Sequence, residues 1–382
     1  MRTRSSSAVL ASAALVAALV TAAGAAAAQT PSSVRFTFRP IVRGAAFPTN
    51  LAFAPDGRAF YTEKDTGRIR VIAADGALLD RPFATLPVDH TSQEMGLLGL
   101  ALHPDFERQP WVYAYYSDAR DGRNHLVRMR ASGDVGGAPE NLLTLLPTAN
   151  GYHNGGDLTF GMDGDLYVTV GEGHEQERAQ DRSSLGGKIL RLADDGSIPP
   201  DNPFGARSPV YALGIRNSFG LCVDHVSRTI WETENGPSEW DELNRIEAGR
   251  NYGWPRHLGP GATNGFTPPV YAWKDIIVPT GCTVGTDHSL YVGDFAYGRL
   301  HHVVFSESGS VADEIVAKFD TGITDVETAP DGRLYVVTAN AIYVNTGTTA
   351  TGSRGPLSPG GIVVLLALIG LLLLARRRLD RR

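Results

Sequence analysis

Cysteine is nearly absent: the 382 residues include two, Cys222 and Cys282, so at most one disulfide can form and no motif demands it. Helical periodicity is almost missing between the two ends of the chain, which argues against α/β folds. A basic excess is missing too. Removing Arg2, Arg4 and the five terminal arginines leaves 28 of 35 basic residues, and removing Asp380 leaves 40 of 41 acidic ones. That balance excludes a nucleic-acid binder on electrostatic grounds. Among the ten histidines none shows zinc-ligand spacing. His103 sits in a His-Pro-Asp turn, and His301 and His302 alternate across a strand. Trp111, Trp231, Trp240, Trp254 and Trp273 read as packing residues, with Trp254 also a candidate for a ligand wall.

The long apolar runs lie at the ends. Residues 1–28 carry Arg2 and Arg4, an Ala/Val/Leu run and Ala26-Ala27-Ala28, the pattern of a secretory signal peptide. An exported chain reaches a compartment where a Cys222–Cys282 disulfide is allowed. At the other end a Thr/Gly/Ser-rich linker (347–358) leads to an apolar run from Ile362 to Ala375 inside segment 359–382, closed by an arginine cluster. This tail resembles the C-terminal sorting signals of bacterial surface proteins, and a plain membrane anchor fits it equally. The reading is therefore an exported, periplasmic or surface protein held at a membrane by its C-terminal segment. Residues 29–346 remain as the folded body.

Within the body, Asn150 to Glu172 (NGYHNGGDLTFGMDGDLYVTVGE) is the densest stretch. Two alternating runs, Asp157 to Phe160 and Asp165 to Val170, read as strands. Asp163-Gly164 between them is a hairpin signal, for which a type I′ turn with positive φ at both central residues is expected. His153 and Glu172 then share the open end of one hairpin. Their glycine neighbours suit close backbone approach to a ligand, and they suit plain turns equally, with His153 as a loop cap.

The body repeats itself. Asn50-Leu51-Ala52-Phe53-Ala54-Pro55-Asp56-Gly57 is echoed by Asp325-Val326-Glu327-Thr328-Ala329-Pro330-Asp331-Gly332, and looser copies lie between. Anchors at Leu51, Leu98, Leu158, Leu221, Cys282 and Val326 are 47, 60, 63, 61 and 44 residues apart. Six strand-turn-strand units at that spacing predict an all-β fold, a six-bladed β-propeller. His153, Arg216 and Asn217 each precede an inner strand, so they converge on one mouth of the central channel.

Several segments now resemble one family. They are Gln93-Glu94-Met95-Gly96-Leu97-Leu98-Gly99-Leu100, His153-Asn154-Gly155-Gly156, Gly187-Lys188-Ile189-Leu190-Arg191, Gly214-Ile215-Arg216-Asn217, Glu234-Asn235-Gly236-Pro237, and Asp241-Glu242-Leu243-Asn244 through Asn251-Tyr252-Gly253-Trp254-Pro255. Their order and spacing are similar to those of the soluble glucose/sorbosone dehydrogenases that use pyrroloquinoline quinone. The resemblance implies a calcium-bound quinone across the channel and oxidation of an aldose or related alcohol, with electrons passed to a further acceptor. His153 is implied as the base, since histidine titrates near working pH. Glu172 is implied as its support, where the family has aspartate; the extra methylene is either accommodated or shifts the charge by roughly an ångström. Arg216 and Asn217 match quinone contacts, as does Gln93 or Glu94, with the register between those two open. Gly236 and Pro237 match calcium ligands through their carbonyls, and Glu242 to Tyr252 matches a second calcium region.

Three departures stand against this. The family holds the quinone's three carboxylates with a lysine and two arginines, and those positions fall at Ala296, Gly322 and Thr324. At ~1.5 to 3 kcal/mol per charge-assisted hydrogen bond, the three together amount to roughly 5 to 9 kcal/mol. Arg299, His301 or Arg333 are the candidate substitutes. Two other functions follow if none serves: a calcium-stabilised binding propeller, as in the hedgehog-interacting protein, or a lactonase-type hydrolase.

Overall fold

Three of the six blades carry, after the inner strand, the turn that the repeated Asp-Gly pairs encode. In the first copy Ala54 N–H donates to Arg58 O and Gly57 N–H to Ala54 O, and Gly57 takes φ +88°. The same pair of bonds closes Gly161–Asp165 and Ala329–Arg333, with Gly164 at +86° and Gly332 at +81°. Only the glycine is left-handed in each. This differs from the type I′ turn expected at Asp163-Gly164, because the loop carries one more residue and the aspartate stays right-handed, bonding the N–H two residues on.

The computed structural model describes residues 33 to 351 apart from 146, 147, 149, 262, 263, 307 and 308. The segments read as leader (1–28) and apolar tail (359–382) lie outside the described residues. Among the described residues no helix is long and apolar enough to cross a membrane.

The body, Arg35–Thr348, is a six-bladed β-propeller. The inner strands are Pro48–Phe53, Leu97–Leu102, Gly155–Phe160, Ser218–Asp224, Pro279–Val284 and Ile323–Thr328, and each opens an antiparallel sheet of at least four strands. They define blades 1 to 6 in chain order. Blade 6 takes its outermost strand, Ser33–Arg43, from the beginning of the chain and pairs it with Ala341–Thr351, so the ring is closed by hydrogen bonds between distant segments. Pairing in that last strand continues past residue 346 into the stretch read as a linker.

Six hydrophobic clusters fill the gaps between neighbouring blades. Between blades 1 and 2, for example, Phe60, Ile69, Val71 and Phe83 meet Leu97, Leu100, Val112 and Met129. Between blades 4 and 5 the cluster includes Trp231, Trp273, Cys222 and Cys282. The two cysteines are bonded to each other, with Cα atoms 5.6 Å apart and 60 residues between them, so a covalent link joins adjacent inner strands.

Every inner strand shifts register near its first residues, between Pro48/Leu51, Leu97/Gly99, Gly155/Leu158, Ser218/Gly220, Pro279/Cys282 and Ile323/Asp325. Such irregularities bend a strand and re-aim its side chains. All six lie at the same end of the channel, where the candidate residues sit.

Candidate active site

His153 stands just before the inner strand of blade 3 in a left-handed backbone conformation, φ +56°. A non-glycine residue there is uncommon and held by its surroundings. Here the hold is explicit: His153 N–H donates to Glu94 Oε2 at 2.7 Å, and Gly171 passes so close beneath that a Cβ on it would lie 2.2 Å from the His153 carbonyl. The imidazole is buried, with Nδ1 2.8 Å from Glu172 Oε1. Glu172 is itself 1 % exposed, and its backbone is fixed by Arg216 O at 2.9 Å. The extra methylene of glutamate is accommodated.

Of the two residues whose register is open, Glu94 is engaged by its neighbours. Its Oε2 accepts from His153 N and from Asn217 Nδ2 at 3.0 Å, tying blades 2, 3 and 4 together. An ionised carboxylate only accepts, so of the two cavity-lining neighbours Gln93 is the one with N–H groups to offer.

Arg216 and Asn217 are clamped from below by Glu234, whose two oxygens accept their backbone N–H groups at 2.8 and 2.7 Å. Burial pushes the Glu234 carboxyl up to about 8 against those bonds, and the neighbouring Glu242 adds to the rise. Arg216 donates to Asn235 O at 2.8 Å and lies over the Trp254 ring, 5.4 Å from its centre. Glu234 was missed as a working residue in the sequence, although it begins the Glu-Asn-Gly-Pro motif.

Gly236 N–H donates to Asp241 Oδ1 at 2.7 Å, and Asp241 also holds Ile277 and Val278 N–H. Among the described residues no hydrogen bond reaches the Gly236 or Pro237 carbonyl. Glu242 and Tyr252 belong to different sets of bonds. Glu242 accepts from Gly259 N and Asn244 Nδ2, and burial lifts its carboxyl to about 7. The Tyr252 hydroxyl donates to Arg245 O and accepts from Glu247 N–H.

A cavity of about 690 Å³ opens at this end of the channel, lined by Gln93, Glu94, Asn50, Asp157 and the rings of Phe47, Phe219 and Phe295. Of the three positions that lack the expected cations, Thr324 lines this cavity, whereas Ala296 and Gly322 line a separate hollow with Tyr297 and Lys318. The candidate substitutes are engaged elsewhere. Arg299 pairs with Asp294 at 2.5 Å, and Arg333 closes the Asp331 turn at the opposite end of its strand. His301 lies between Asp294 and Asp313; burial pulls its pKa down, and the two carboxylates outweigh it and raise it.

Lys64, unremarked in the sequence, is the one lysine or arginine among the described residues lining the cavity. Its ammonium bonds Asp65 at 2.5 Å and Met95 O at 3.2 Å and lies 4.9 Å above the Phe47 ring. Two hydroxyls beside it, Ser92 Oγ and Thr324 Oγ1, are buried without a hydrogen-bond partner among the described residues. His174, also missed, meets His153 edge-on with Nε2 atoms 3.1 Å apart.

Known proteins resemble this chain in sequence and fold. The glucose/sorbosone dehydrogenase family profile matches residues 45–343. The aldose sugar dehydrogenase YliI of Escherichia coli is 32% identical over 324 residues, 76% of this chain and 86% of that protein. Quinoprotein glucose dehydrogenase B of Acinetobacter calcoaceticus is 32% identical over 257 residues, 59% of this chain and 53% of that one. The aldose sugar dehydrogenase of Streptomyces coelicolor, in its PQQ-bound form, superposes with a TM-score of 0.74 at 34% identity, covering 82% of this chain and 98% of that structure. With a matching profile across most of the body and the same fold in its relatives, the chain belongs to the glucose/sorbosone dehydrogenase family.

Proposed function

We propose that the protein oxidises an aldose or related alcohol using pyrroloquinoline quinone and calcium. The observation that carries this reading is the buried His153–Glu172 pair, 2.8 Å apart and tied through His153 N–H to the cavity-lining Glu94, with Arg216 and Asn217 locked in place by Glu234. When bound, the quinone supplies the hydride acceptor and calcium polarises its reacting carbonyl.

The residues present fit a flat, anionic cofactor. The cavity lies within the ~300 to 1,000 Å³ range of small-molecule sites, and three phenylalanines offer ring faces. The bondless Ser92 and Thr324 hydroxyls and the Lys64 ammonium are the donors available to carboxylates, in place of the absent cations. Gln93 and the Arg216 guanidinium are donors for quinone oxygens, and the Gly236 and Pro237 carbonyls suit a hard cation.

His153 then takes the hydroxyl proton at Nε2. Glu172 keeps the other ring proton on Nδ1 and stabilises the imidazolium that forms. The buried setting excludes water and strengthens that interaction.

Purified protein titrated with the quinone in excess calcium, then with a panel of aldoses, tests the reading. Saturable binding followed by sugar-dependent reduction, lost in His153→Ala, supports it. Absence of binding at micromolar quinone overturns it in favour of a binding propeller, the second reading, which the engagement of Arg299, His301 and Arg333 elsewhere favours.

A further inference from the structure

The two histidines and their neighbours fix a single direction of hydrogen bonding. Tyr152 N–H donates to Asn150 Oδ1 at 3.2 Å, which sets the orientation of the Asn150 amide. The amide nitrogen therefore donates to His174 Nδ1 at 2.7 Å, and His174 must carry its proton on Nε2. At the other end Glu172 accepts from His153 Nδ1, leaving the lone pair on His153 Nε2. The 3.1 Å contact is thus His174 Nε2–H donating to the lone pair that the proposed base needs. His174 is the second left-handed non-glycine of this loop, φ +60°, and its ring stacks on Tyr152 at 5.8 Å.

Burial separates the two rings in function. His153 and Glu172 are buried, and His174 is exposed. A proton taken up at His153 Nε2 must leave before the next turnover. Glu172 faces the wrong nitrogen and has no surface of its own. His174 touches the right nitrogen and reaches water.

We propose that His174 carries the proton from His153 Nε2 to solvent after each oxidation, a role that rests on the dehydrogenase reading above. A bound quinone would supply the acceptor for the substrate's hydride, while the O–H proton would go to His153 Nε2, with His174 displaced by the substrate hydroxyl. Exposed to water, His174 exchanges its Nε2 proton for one on Nδ1. It returns to His153, with Nδ1 turned to water rather than to Asn150, accepts the His153 proton on its bare Nε2, releases the one on Nδ1 to solvent and then accepts again from the Asn150 amide.

The test uses His174→Gln, whose amide still donates to His153 Nε2 but does not titrate, beside His174→Ala. In weakly buffered solution, turnover of quinone-loaded His174→Gln should fall about 100-fold, the low end of the range of proton-transfer effects. Added imidazole should restore it saturably, while the wild-type rate stays unchanged. Equal rates in weak buffer, or a loss that imidazole does not repair, overturn the proposal. A second readout needs no cofactor: in ¹⁵N-histidine-labelled protein, exchange of the His153 ring protons with solvent should slow about tenfold in His174→Gln. If the wild type oxidises no sugar, the dehydrogenase reading fails, and this exchange rate alone decides whether His174 relays protons. Unchanged exchange then overturns it.

Discussion

At the scale of single residues, the site turns on two contacts that can be removed separately. His153→Ala deletes the base and should lower kcat by ~10² to 10⁴ while leaving quinone binding nearly intact, because the quinone donors lie on other residues. Glu172→Asp withdraws the carboxylate from Nδ1 by one methylene. It should cost kcat more than KM, since the charge matters most when the imidazolium forms. Lys64→Met tests the other pole of the cavity. One charge-assisted contact at ~1.5 to 3 kcal/mol predicts a quinone affinity weakened roughly 10- to 100-fold, read by absorbance titration. An unchanged affinity would assign the carboxylates to Ser92 and Thr324 alone. That His153, Glu172, Arg216 and Asn217 lie together was readable in the sequence, because each stands just before an inner strand or at the end of the strand beside one. The contacts of Lys64, Glu94 and His174 were not readable, because each reaches a different loop, 31, 59 and 21 residues away for Met95, His153 and His153 respectively. Glu94 binds Asn217, 123 residues on, and nothing in either neighbourhood marks the pairing.

At the scale of elements, the repeated Asp-Gly turn and the alternating strands made the blades visible, whereas the shared register shift did not show. In blade 3 it coincides with a hydroxyl shared between blades: Thr169 Oγ1 accepts both Gly156 and Asp157 N–H while donating to Ser218 O of the next blade, a partner that only the assembled ring supplies. The disulfide was likewise undecided in the sequence, since pairing depends on two inner strands lying side by side. Its removal is informative. Closing a chain loop of 60 residues contributes about 4 kcal/mol in the chain-entropy account. Replacing both Cys222 and Cys282 by serine should therefore lower Tm by roughly 5 °C for a body of this size. Sugar oxidation at low temperature should persist, because neither sulfur lines the cavity. A Tm unchanged within a degree or so would mean that packing between blades 4 and 5 carries that contact alone.

At the scale of the whole molecule, six blades leave a channel whose axis must be filled with something. Three inner strands contribute polar side chains there, Asn50, Asp157 and Asp325, and the others place Gly99, Gly220 and Gly281 against their neighbours. Asp157 clasps blade 4 through Leu221 N–H at 2.6 Å, Asp325 clasps blade 1 through Leu51 N–H at 2.8 Å, and Asn50 reaches across to Asp157 at 3.1 Å. Burial pushes both carboxyls above their usual range, Asp157 to about 6, against the hydrogen bonds they accept. The sign of the pH effect follows. A carboxyl whose pKa is raised on folding binds its proton more tightly in the native state, so its contribution is fully present below about 4 and is lost as pH climbs through 6. The Tm of the cofactor-free protein should fall over that window. Asp157→Asn keeps an acceptor for Leu221 and abolishes the titration, so the Tm of the wild type should fall relative to that of the variant as pH rises from 4 to 7. Parallel curves would show that Asp157 is ionised throughout, with the axial clasp held by charge rather than by a retained proton.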